Sequence, residues 1–182
     1  MVRSDFIIKI ATNADANLLA DLIRESFYDV AQRFALTPQN CPRHPSNCIS
    51  EWIATDQTRG VVDFILSQDD QPIGCVGLEA PSPDLRYMER LSVLPQLRRR
   101  GFGRALVAFA LLEAKSSGAD RVRIGIIADH IELKAWYIKL GFVEQGTKSF
   151  PHLPFDVTFM ELHPIMMVAC VAAKCFLTAD GH

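Results

Sequence analysis

The feature that most restricts the fold is a succession of strand, glycine-containing turn, helix and strand between residues 87 and 127. Residues 87–94 predict a strand, and the turn RRRGFG comes a few residues later. Apolar residues recur at helical spacing over residues 103–117, and Gly118 is a typical C-terminal end of a helix. The apolar side chains of residues 122–127 predict the next strand. Two strands joined through one helix should be parallel neighbours in one sheet, with a right-handed crossover.

The rest of the chain predicts further strands and helices around this unit. Apolar runs at residues 6–10, 61–66, 72–78, 142–145 and 157–162 predict strands, and helices are predicted after Asn13, around residues 49–54 and at residues 131–140. The polar stretch SQDDQ between two of these strands predicts an antiparallel hairpin. Because the 182 residues contain no repeat and no long linker, we expect one mixed α/β domain over residues 1–182.

The turn RRRGFG at residues 98–103 has the composition of a phosphate-binding loop. A dinucleotide fingerprint needs glycine or alanine at position 106 and a nucleoside-triphosphate loop needs glycine there, but the residue is Leu106. What remains is R-x-x-G-x-G, in which backbone N–H groups of residues 99–104 can point at one anion at the positive end of the helix dipole. Gly101 and Gly103 leave room for a pyrophosphate. The alternative is a glycine turn between solvated arginines.

Charge and cysteine content narrow the class of protein. The 19 basic and 21 acidic residues give a formal net charge of -2, which argues against a protein that binds the nucleic-acid backbone. Five cysteines without paired CxxC spacing indicate a reducing compartment, so we expect a cytoplasmic protein. His44 lies between Cys41 and Cys48, but this trio lacks a fourth ligand, and we predict no metal site.

Neither end of the sequence predicts a targeting or membrane segment. The first apolar stretch, residues 6–10, has four apolar residues and is interrupted by Lys9, so it is too short for the core of a signal peptide. Residues 165–177 are apolar except for Lys174, but 13 residues fall short of the roughly 20 that span a bilayer. We interpret them as a packed strand or helix, at a subunit contact if the protein is a homodimer.

Two motifs resemble the GNAT superfamily of N-acetyltransferases. MERLSVLPQLRRRGFGRALV, residues 88–107, is similar to the family's strand, pyrophosphate loop and helix, and Arg98, Gly101 and Gly103 match its specified positions. HIELKAWYIKLGFVEQG, residues 130–146, resembles the helix that carries a tyrosine four residues before Gly-Phe. The resemblance covers a core at residues 5–162 and leaves residues 163–182 as an extension of unknown role. It implies a mostly antiparallel sheet of six to seven strands, with a splayed parallel pair at its centre and about four flanking helices.

The resemblance also implies acetyl-CoA as co-substrate, held between the two splayed strands. The residues that would contact it are Leu91, Ser92, Val93, Arg98, Arg99, Arg100, Gly101, Phe102, Gly103, Arg104 and His130. Backbone groups of residues 91–93 would pair with the pantetheine amides, and an N–H there would stabilise the oxyanion. His130 stands where many members have asparagine, so a helix-capping or surface histidine remains the alternative.

The reaction implied is direct attack of a neutral primary amine on the acetyl carbon. Tyr137 is the candidate general acid, and its alternative role is packing beside Trp136. Glu89 is the candidate base, because strand alternation would place residues 87, 89, 91 and 93 on one face beside the cofactor. The alternative for Glu89 is an ion pair with a neighbouring arginine, Arg86 or Arg90.

The acceptor is a small-molecule or peptide amine whose identity the sequence leaves open. Its predicted walls are Arg33, Phe34, the stretch NCPRHPSNC at residues 40–48, and residues 149–159, which contain His152 and Asp156. Two other functions remain as alternatives. One is an acyl-CoA-binding sensor that has lost catalysis, and the other is a nucleic-acid-binding domain.

Overall fold

The computed structural model describes residues 6–164, which form one seven-stranded sheet and four α-helices. The strands are β1 (Phe6–Ile10), β2 (Val62–Gln68), β3 (Gln71–Ser82), β4 (Leu85–Val93), β5 (Arg121–Ile127), β6 (Val143–Lys148) and β7 (Val157–Leu162). The helices are α1 (Ala16–Arg33), α2 (Ser50–Thr58), α3 (Phe102–Ser116) and α4 (Ile131–Lys139). The apolar segment predicted at residues 165–177 lies outside the described residues.

The strand order in the sheet is β1-β2-β3-β4-β5-β7-β6. Strands β4 and β5 are parallel and are joined through α3, whereas every other neighbouring pair is antiparallel. The predicted fold class, a mixed and mostly antiparallel sheet with a central parallel pair and four helices, is therefore confirmed.

Helices cover both faces of the sheet. On the α3 face, strand residues such as Phe64, Val76 and Met88 form one core with α3 and with Tyr137 and Leu140 at the end of α4. On the opposite face, the α1 face, Ile65 and Cys75 form a second core with α1 and α2. Burial on both sides explains why the central strands lack the simple alternation of apolar and polar residues.

The helix that follows the glycine turn has the apolar spacing that its burial requires. The buried residues of α3 are Phe102, Leu106, Val107, Ala110, Leu111 and Ala114, which repeat at intervals of three and four. Gly118 ends the helix with φ +87°, a conformation that glycine adopts without a Cβ penalty. The predicted helix end is confirmed.

Within residues 6–164, no helix combines the length and the apolar character that crossing a bilayer requires. Cys41, Cys48 and Cys75 are buried free thiols.

Candidate active site

The parallel strands β4 and β5 pair over only part of their length. Their register runs from Leu85 opposite Arg121 to Tyr87 opposite Arg123, although β4 continues to Val93 and β5 to Ile127. Beyond Tyr87, the edge of β4 that faces β5 has no strand partner among the described residues. A cavity of about 470 Å³ lies at this opening, a size typical of sites for small ligands and cofactors.

The cavity reaches both faces of the sheet. On the α3 face its wall includes Leu91, Val93 and three residues of α4, namely Leu133, Trp136 and Tyr137. On the α1 face its wall is made by α1, the α1–α2 loop and the end of the β6–β7 loop; the residues are Ser26, Phe27, Val30, His44, Pro45, Phe155 and Val157. One ligand can therefore approach from each face and meet the other between the strands.

A β-bulge lies in β4 at the point where the strands separate. Gly77 is opposite Glu89 and Cys75 is opposite Ser92, so two residues of β4, Arg90 and Leu91, oppose one residue of β3. Arg90 has φ +50°, which is uncommon for a residue other than glycine. Because of the extra residue, odd-numbered side chains of β4 lie on one face of the sheet before the bulge and on the other face after it.

The prediction that residues 87, 89, 91 and 93 share one face is wrong because of this bulge. Leu91 and Val93 pack on the α3 face. Glu89 is opposite Gly77, which is itself opposite the buried Asp63 of the α1 face, and paired residues of a sheet share a face. Glu89 is therefore on the α1 face and is not part of the cavity wall.

Glu89 lies among other charged groups. Burial raises its pKa, the charge of Arg90 lowers it, and the neighbouring Glu79 and Asp56 raise it again, so that the net direction is upward. The alternative that the sequence left open, an ion pair with Arg86 or Arg90, is not formed among the described residues, where Arg90 pairs with Asp56 and Asp63. The role of Glu89 as general base remains a prediction.

Arg90 forms a buried charge cluster that sequence reasoning missed. Its Nη1 lies 2.5 Å from Oδ2 of Asp56, and its Nη2 lies 3.6 Å from Oδ1 of Asp63. The three side chains are 12%, 10% and 2% exposed, respectively. A Cβ on Gly77 would lie 2.9 Å from Oδ1 of Asp63, so a larger residue there would displace this carboxylate. The only sequence signal was three charged residues next to predicted core strands.

The turn before α3 presents a row of unpaired backbone donors. The N–H groups of residues 99–104 have no hydrogen-bond acceptor within the described part of the chain. Arg99 has φ +63° and Gly101 has φ +93°, which bend the chain so that successive amides can face one concavity. The side chains of Arg99, Arg100 and Arg104 are exposed.

The side chains of Phe102 and Arg98 contact other parts of the fold and not the space in front of the turn. Phe102 is buried in the core and packs against Phe6, so only its backbone faces the turn. At Gly103 a Cβ would lie 3.5 Å from the ring of Trp136, an ordinary contact. Arg98 donates from Nη1 to Oδ2 of Asp29 at 2.5 Å and from Nε to the carbonyl of Val93 at 3.2 Å. Its guanidinium therefore links the turn to α1.

Helix α4 brings the two predicted residues of the second motif to the cavity. Tyr137 is 5% exposed, and its ring packs against those of Trp136 and Phe142. Burial raises the pKa of Tyr137. No described residue forms a hydrogen bond with its hydroxyl group, so the phenol is both protonated and unpartnered.

His130 lies at the N-terminus of α4, where its Nδ1 accepts a hydrogen bond from the Leu133 amide at 3.3 Å. This is the helix-capping role that the sequence offered as the alternative. The ring also contacts Phe34 and lines the cavity. Burial lowers the pKa of His130, and the charge of Arg33 lowers it further. Contact with a cofactor, through the other ring nitrogen, remains a prediction.

The predicted acceptor walls are present only in part. His44 and Pro45 of the α1–α2 loop and Phe155 of the β6–β7 loop line the cavity, but Arg33 and Phe34 do not. Arg33 instead forms an ion pair with Glu132 at 2.8 Å. His152 and Asp156 are also outside the cavity wall. Within residues 6–164, no group of three or more His, Cys, Asp or Glu side chains is arranged to hold a metal ion.

Comparison with known families shows to which family the chain belongs. Residues 19–142, more than half of the chain, match the Acetyltransferase (GNAT) family. The chain belongs to this family of acetyltransferases. The resemblance carried by the two sequence motifs is confirmed. No curated protein sequence matches the chain significantly.

Solved structures of acetyltransferases share the fold. The ribosomal-protein-S18-alanine N-acetyltransferase from Escherichia coli has a TM-score of 0.66 and 20% identity, over 87% of this chain and 94% of that one. A spermidine N-acetyltransferase chimera that includes Vibrio cholerae sequence has a TM-score of 0.69 and 16% identity, over 91% and 99%. A GNAT family acetyltransferase from Elizabethkingia anophelis with acetyl-CoA bound has a TM-score of 0.64 and 16% identity, over 88% and 99%. One fold thus serves enzymes named for different acceptors.

Proposed function

We propose that this acetyltransferase transfers the acetyl group of acetyl-CoA to a primary amine, by direct attack and without an acyl-enzyme. The observation that carries the proposal is the row of unpaired N–H groups at residues 99–104, which directly follows Arg98, a residue of the cavity wall. These amides, at the N-terminus of α3, suit a pyrophosphate. The cavity between β4 and β5 then receives the pantetheine arm and the thioester.

Three groups of this chain would contribute to the reaction: the unpaired edge of β4, Tyr137 and Glu89. The unpaired edge of β4 at residues 91–93 offers backbone groups to the pantetheine amides and an N–H to the oxyanion. The amine nitrogen forms a bond to the acetyl carbon, and the C–S bond then breaks to release the CoA thiolate. Tyr137 is the proposed donor of a proton to that thiolate, because its hydroxyl group is protonated and lines the cavity.

The amine must lose one proton during the transfer. Glu89 is the proposed acceptor of that proton, and because it is outside the cavity wall the transfer would pass through water. Its raised pKa makes the carboxylate a stronger base than an ordinary glutamate. The products are an N-substituted acetamide and free CoA thiol. A cytoplasmic location, where acetyl-CoA and free thiols coexist, fits the same proposal.

The test compares two glycines that lie just outside the two ends of α3 and have similar backbone conformations. Gly101 and Gly118 have φ +93° and +87°, and a Cβ at either position would meet nothing within 4 Å. Alanine at either position should therefore cost a similar amount of stability, roughly 1–2 kcal/mol. Only Gly101→Ala should weaken acetyl-CoA binding, because only Gly101 lies among the unpaired amides.

Isothermal titration with acetyl-CoA and thermal unfolding of the free variants provide the two measurements. We expect at least about a tenfold rise in Kd for Gly101→Ala and an unchanged Kd for Gly118→Ala. A thiol-release screen of amines with the unmodified protein then measures turnover. Failure of the unmodified protein to bind any acyl-CoA would contradict the proposed function. Binding without thiol release from any amine would favour the non-catalytic sensor.

A further inference from the structure

The part of the cavity on the α1 face has an apolar wall. It is formed by Phe27 and Val30 of α1, Ile127 at the end of β5, Phe155 of the β6–β7 loop and Val157 at the start of β7. Apolar walls of this kind bind the hydrocarbon part of a ligand. The acceptor must enter from this face, because the α3 face holds the turn proposed for the pyrophosphate.

The same wall offers little to a polycation. Among the described residues, Glu132 is the one acidic side chain that lines the cavity, and it is already paired with Arg33 at 2.8 Å. Its side chain is 68% exposed, at the rim. An acceptor with several ammonium groups would bury them without carboxylate partners. Each buried ion would cost on the order of several kcal/mol. The acceptor is therefore expected to carry a single amine.

His44 supplies a hydrogen-bond donor whose direction is fixed by its neighbours. Its Nδ1 accepts from the backbone N–H of Ser46 at 3.3 Å and contacts Oγ of Ser46 at 2.8 Å. Because an amide N–H can only donate, Nδ1 carries a lone pair, and in the neutral ring the proton is on Nε2. Burial lowers the pKa of His44 to about 4, so the ring is neutral at pH 7.

The Nε2–H of His44 has no acceptor among the described residues, although the residue is only 6% exposed. Phe27 packs edge-on against the ring at 5.9 Å and limits its rotation. Ser26 adds a second unpartnered donor. It is 3% exposed and lines the cavity, and its Oγ has no hydrogen-bond partner in the described part of the chain. Of these two groups only Ser26 Oγ is fully buried, and a buried donor without a partner costs about 1–3 kcal/mol, which a ligand oxygen can recover.

We infer that the acceptor is an α-amino acyl unit with an apolar side chain, whose carbonyl oxygen accepts hydrogen bonds from Nε2 of His44 and from Ser26. The inference rests on the proposed function and adds the substrate class and two specificity-determining residues. The apolar wall holds the side chain, and the amine lies toward the thioester. In this tautomer His44 is a donor and not the general base. A free amino acid and the N-terminal residue of a peptide both offer this chemistry.

The experiment compares two amines that differ only in the inferred oxygen-bearing group. Leucinamide and 3-methylbutylamine are both primary amines with the same apolar body, but only leucinamide has a carbonyl group. Because that carbonyl group also lowers the pKa of the amine, kcat/KM is expressed per concentration of neutral amine. We expect kcat/KM to be at least about tenfold higher for leucinamide, with spermidine poorer than both. Leucine, leucinamide and a short peptide that begins with leucine then distinguish the free amino acid from the peptide source.

Two variants assign the preference to the named residues. Ser26→Ala removes a buried hydroxyl group that has no protein partner, so the free protein should be at least as stable as the unmodified one, while KM for leucinamide rises. His44→Phe keeps the packing on Phe27 and should abolish most of the preference for leucinamide, with KM for acetyl-CoA unchanged. Titration calorimetry with the product N-acetyl-leucinamide gives a second measurement that does not depend on turnover, and both variants should weaken its binding.

The outcomes separate this inference from the proposed function. Equal kcat/KM for leucinamide and 3-methylbutylamine, or a preference for spermidine, would overturn the inference and leave acetyl transfer intact. Unchanged binding of N-acetyl-leucinamide in both variants would also overturn it. Loss of acetyl-CoA binding by the unmodified protein would overturn the proposed function itself.

Discussion

At the scale of single residues, the ring and the hydroxyl group of Tyr137 have different surroundings. The ring contacts Trp136 and Phe142, whereas the hydroxyl group has no partner among residues 6–164. Packing alone would be served equally well by phenylalanine. A tyrosine whose pKa is raised by burial keeps its proton through neutral pH and can donate it to a leaving thiolate.

We expect Tyr137→Phe to lower kcat by at least about tenfold and to leave the Kd of acetyl-CoA unchanged. Thermal stability should also be unchanged, because no protein hydrogen bond is lost. Steady-state kinetics, calorimetry and thermal unfolding measure the three quantities. Tyr28→Phe is the control, since Tyr28 is 61% exposed and is not part of the main cavity. Turnover unchanged in Tyr137→Phe would remove the residue from the mechanism.

Glu89 allows a test in which activity and stability change in opposite directions. Its pKa is raised in the folded protein, so the folded state binds the proton more tightly than the unfolded state does. Stability from this group therefore falls as pH rises through the raised pKa, and Glu89→Gln should raise the melting temperature at neutral pH. A base must be ionised, so turnover should be lost as pH falls through the same pKa.

We expect Glu89→Gln to lower kcat and to remove this acidic limb from the pH profile of kcat. Kinetics from pH 5 to pH 9 and thermal unfolding at pH 7 provide the measurements. If the variant keeps both the rate and the profile of the unmodified protein, Glu89 is a structural acid of the α1 face and not the base.

At the scale of elements, the bulge of β4 positions the site. Arg90 adopts a left-handed conformation at the bulge, and its guanidinium reaches Asp56 in α2 and Asp63 in β2. The strain at Arg90 is therefore offset by charges on two other elements. Because the bulge turns residues 91–93 relative to the rest of β4, the charge cluster also helps to set which side chains these residues present at the opening.

Removal of the arginine should leave Asp63 without a charged partner, with only the amide of Gln57 at 3.3 Å, while Asp56 keeps its ion pair with Arg59. We expect Arg90→Met to lower the free energy of unfolding by about 3–5 kcal/mol, because breaking a buried ion pair leaves the charge of Asp63 uncompensated. Arg123→Met is the matched control. Its pair with Glu161 joins β5 and β7, and the side chains are 30% and 9% exposed, so the loss should be smaller. Denaturant unfolding at pH 7 measures both. Similar losses for the two variants would contradict a special role of the cluster.

The elements themselves could be predicted from the sequence, but the bulge could not. Apolar spacing and glycine positions identify α3, because they reflect local geometry and burial on one side. The bulge depends on charged contacts between residues that are 27 to 34 positions apart, and strand alternation then assigns Glu89 to the wrong face. Long-range charge pairing of this kind has no periodic signature in the sequence.

At the scale of the whole molecule, the two halves of the active site differ in how far the sequence predicts them. The turn proposed for the pyrophosphate and Tyr137 lie on short motifs whose geometry is local, so the resemblance of those motifs to the family could place them. His44 and Ser26 come together only through the packing of the α1–α2 loop against α1. The predicted walls at Arg33 and Phe34 lie one helical turn beyond Val30 and about two turns beyond Ser26 and Phe27, which line the cavity.

The architecture divides the sheet into two parts with a short connection between them. Strands β1 to β4 and strands β5 to β7 are joined within the sheet by three residue pairs of β4 and β5, and α3 crosses between them. A cofactor in the opening would contact both parts. Acetyl-CoA should therefore oppose local opening at this connection more than fluctuations elsewhere in the sheet.

Hydrogen exchange with and without acetyl-CoA tests this expectation. At a ligand concentration about 100 times Kd, amides of β4 beyond Tyr87 and of β5 beyond Arg123 should exchange up to roughly 100-fold more slowly. Strand β6 is the control, because all six of its residues are exposed and its amides can exchange without opening the cavity. Equal protection of β6 and β5 would show that the ligand stabilises the molecule as a whole. Protection confined to β4 and β5 would locate the cofactor between the splayed strands, since only a ligand bound there couples the two parts of the sheet.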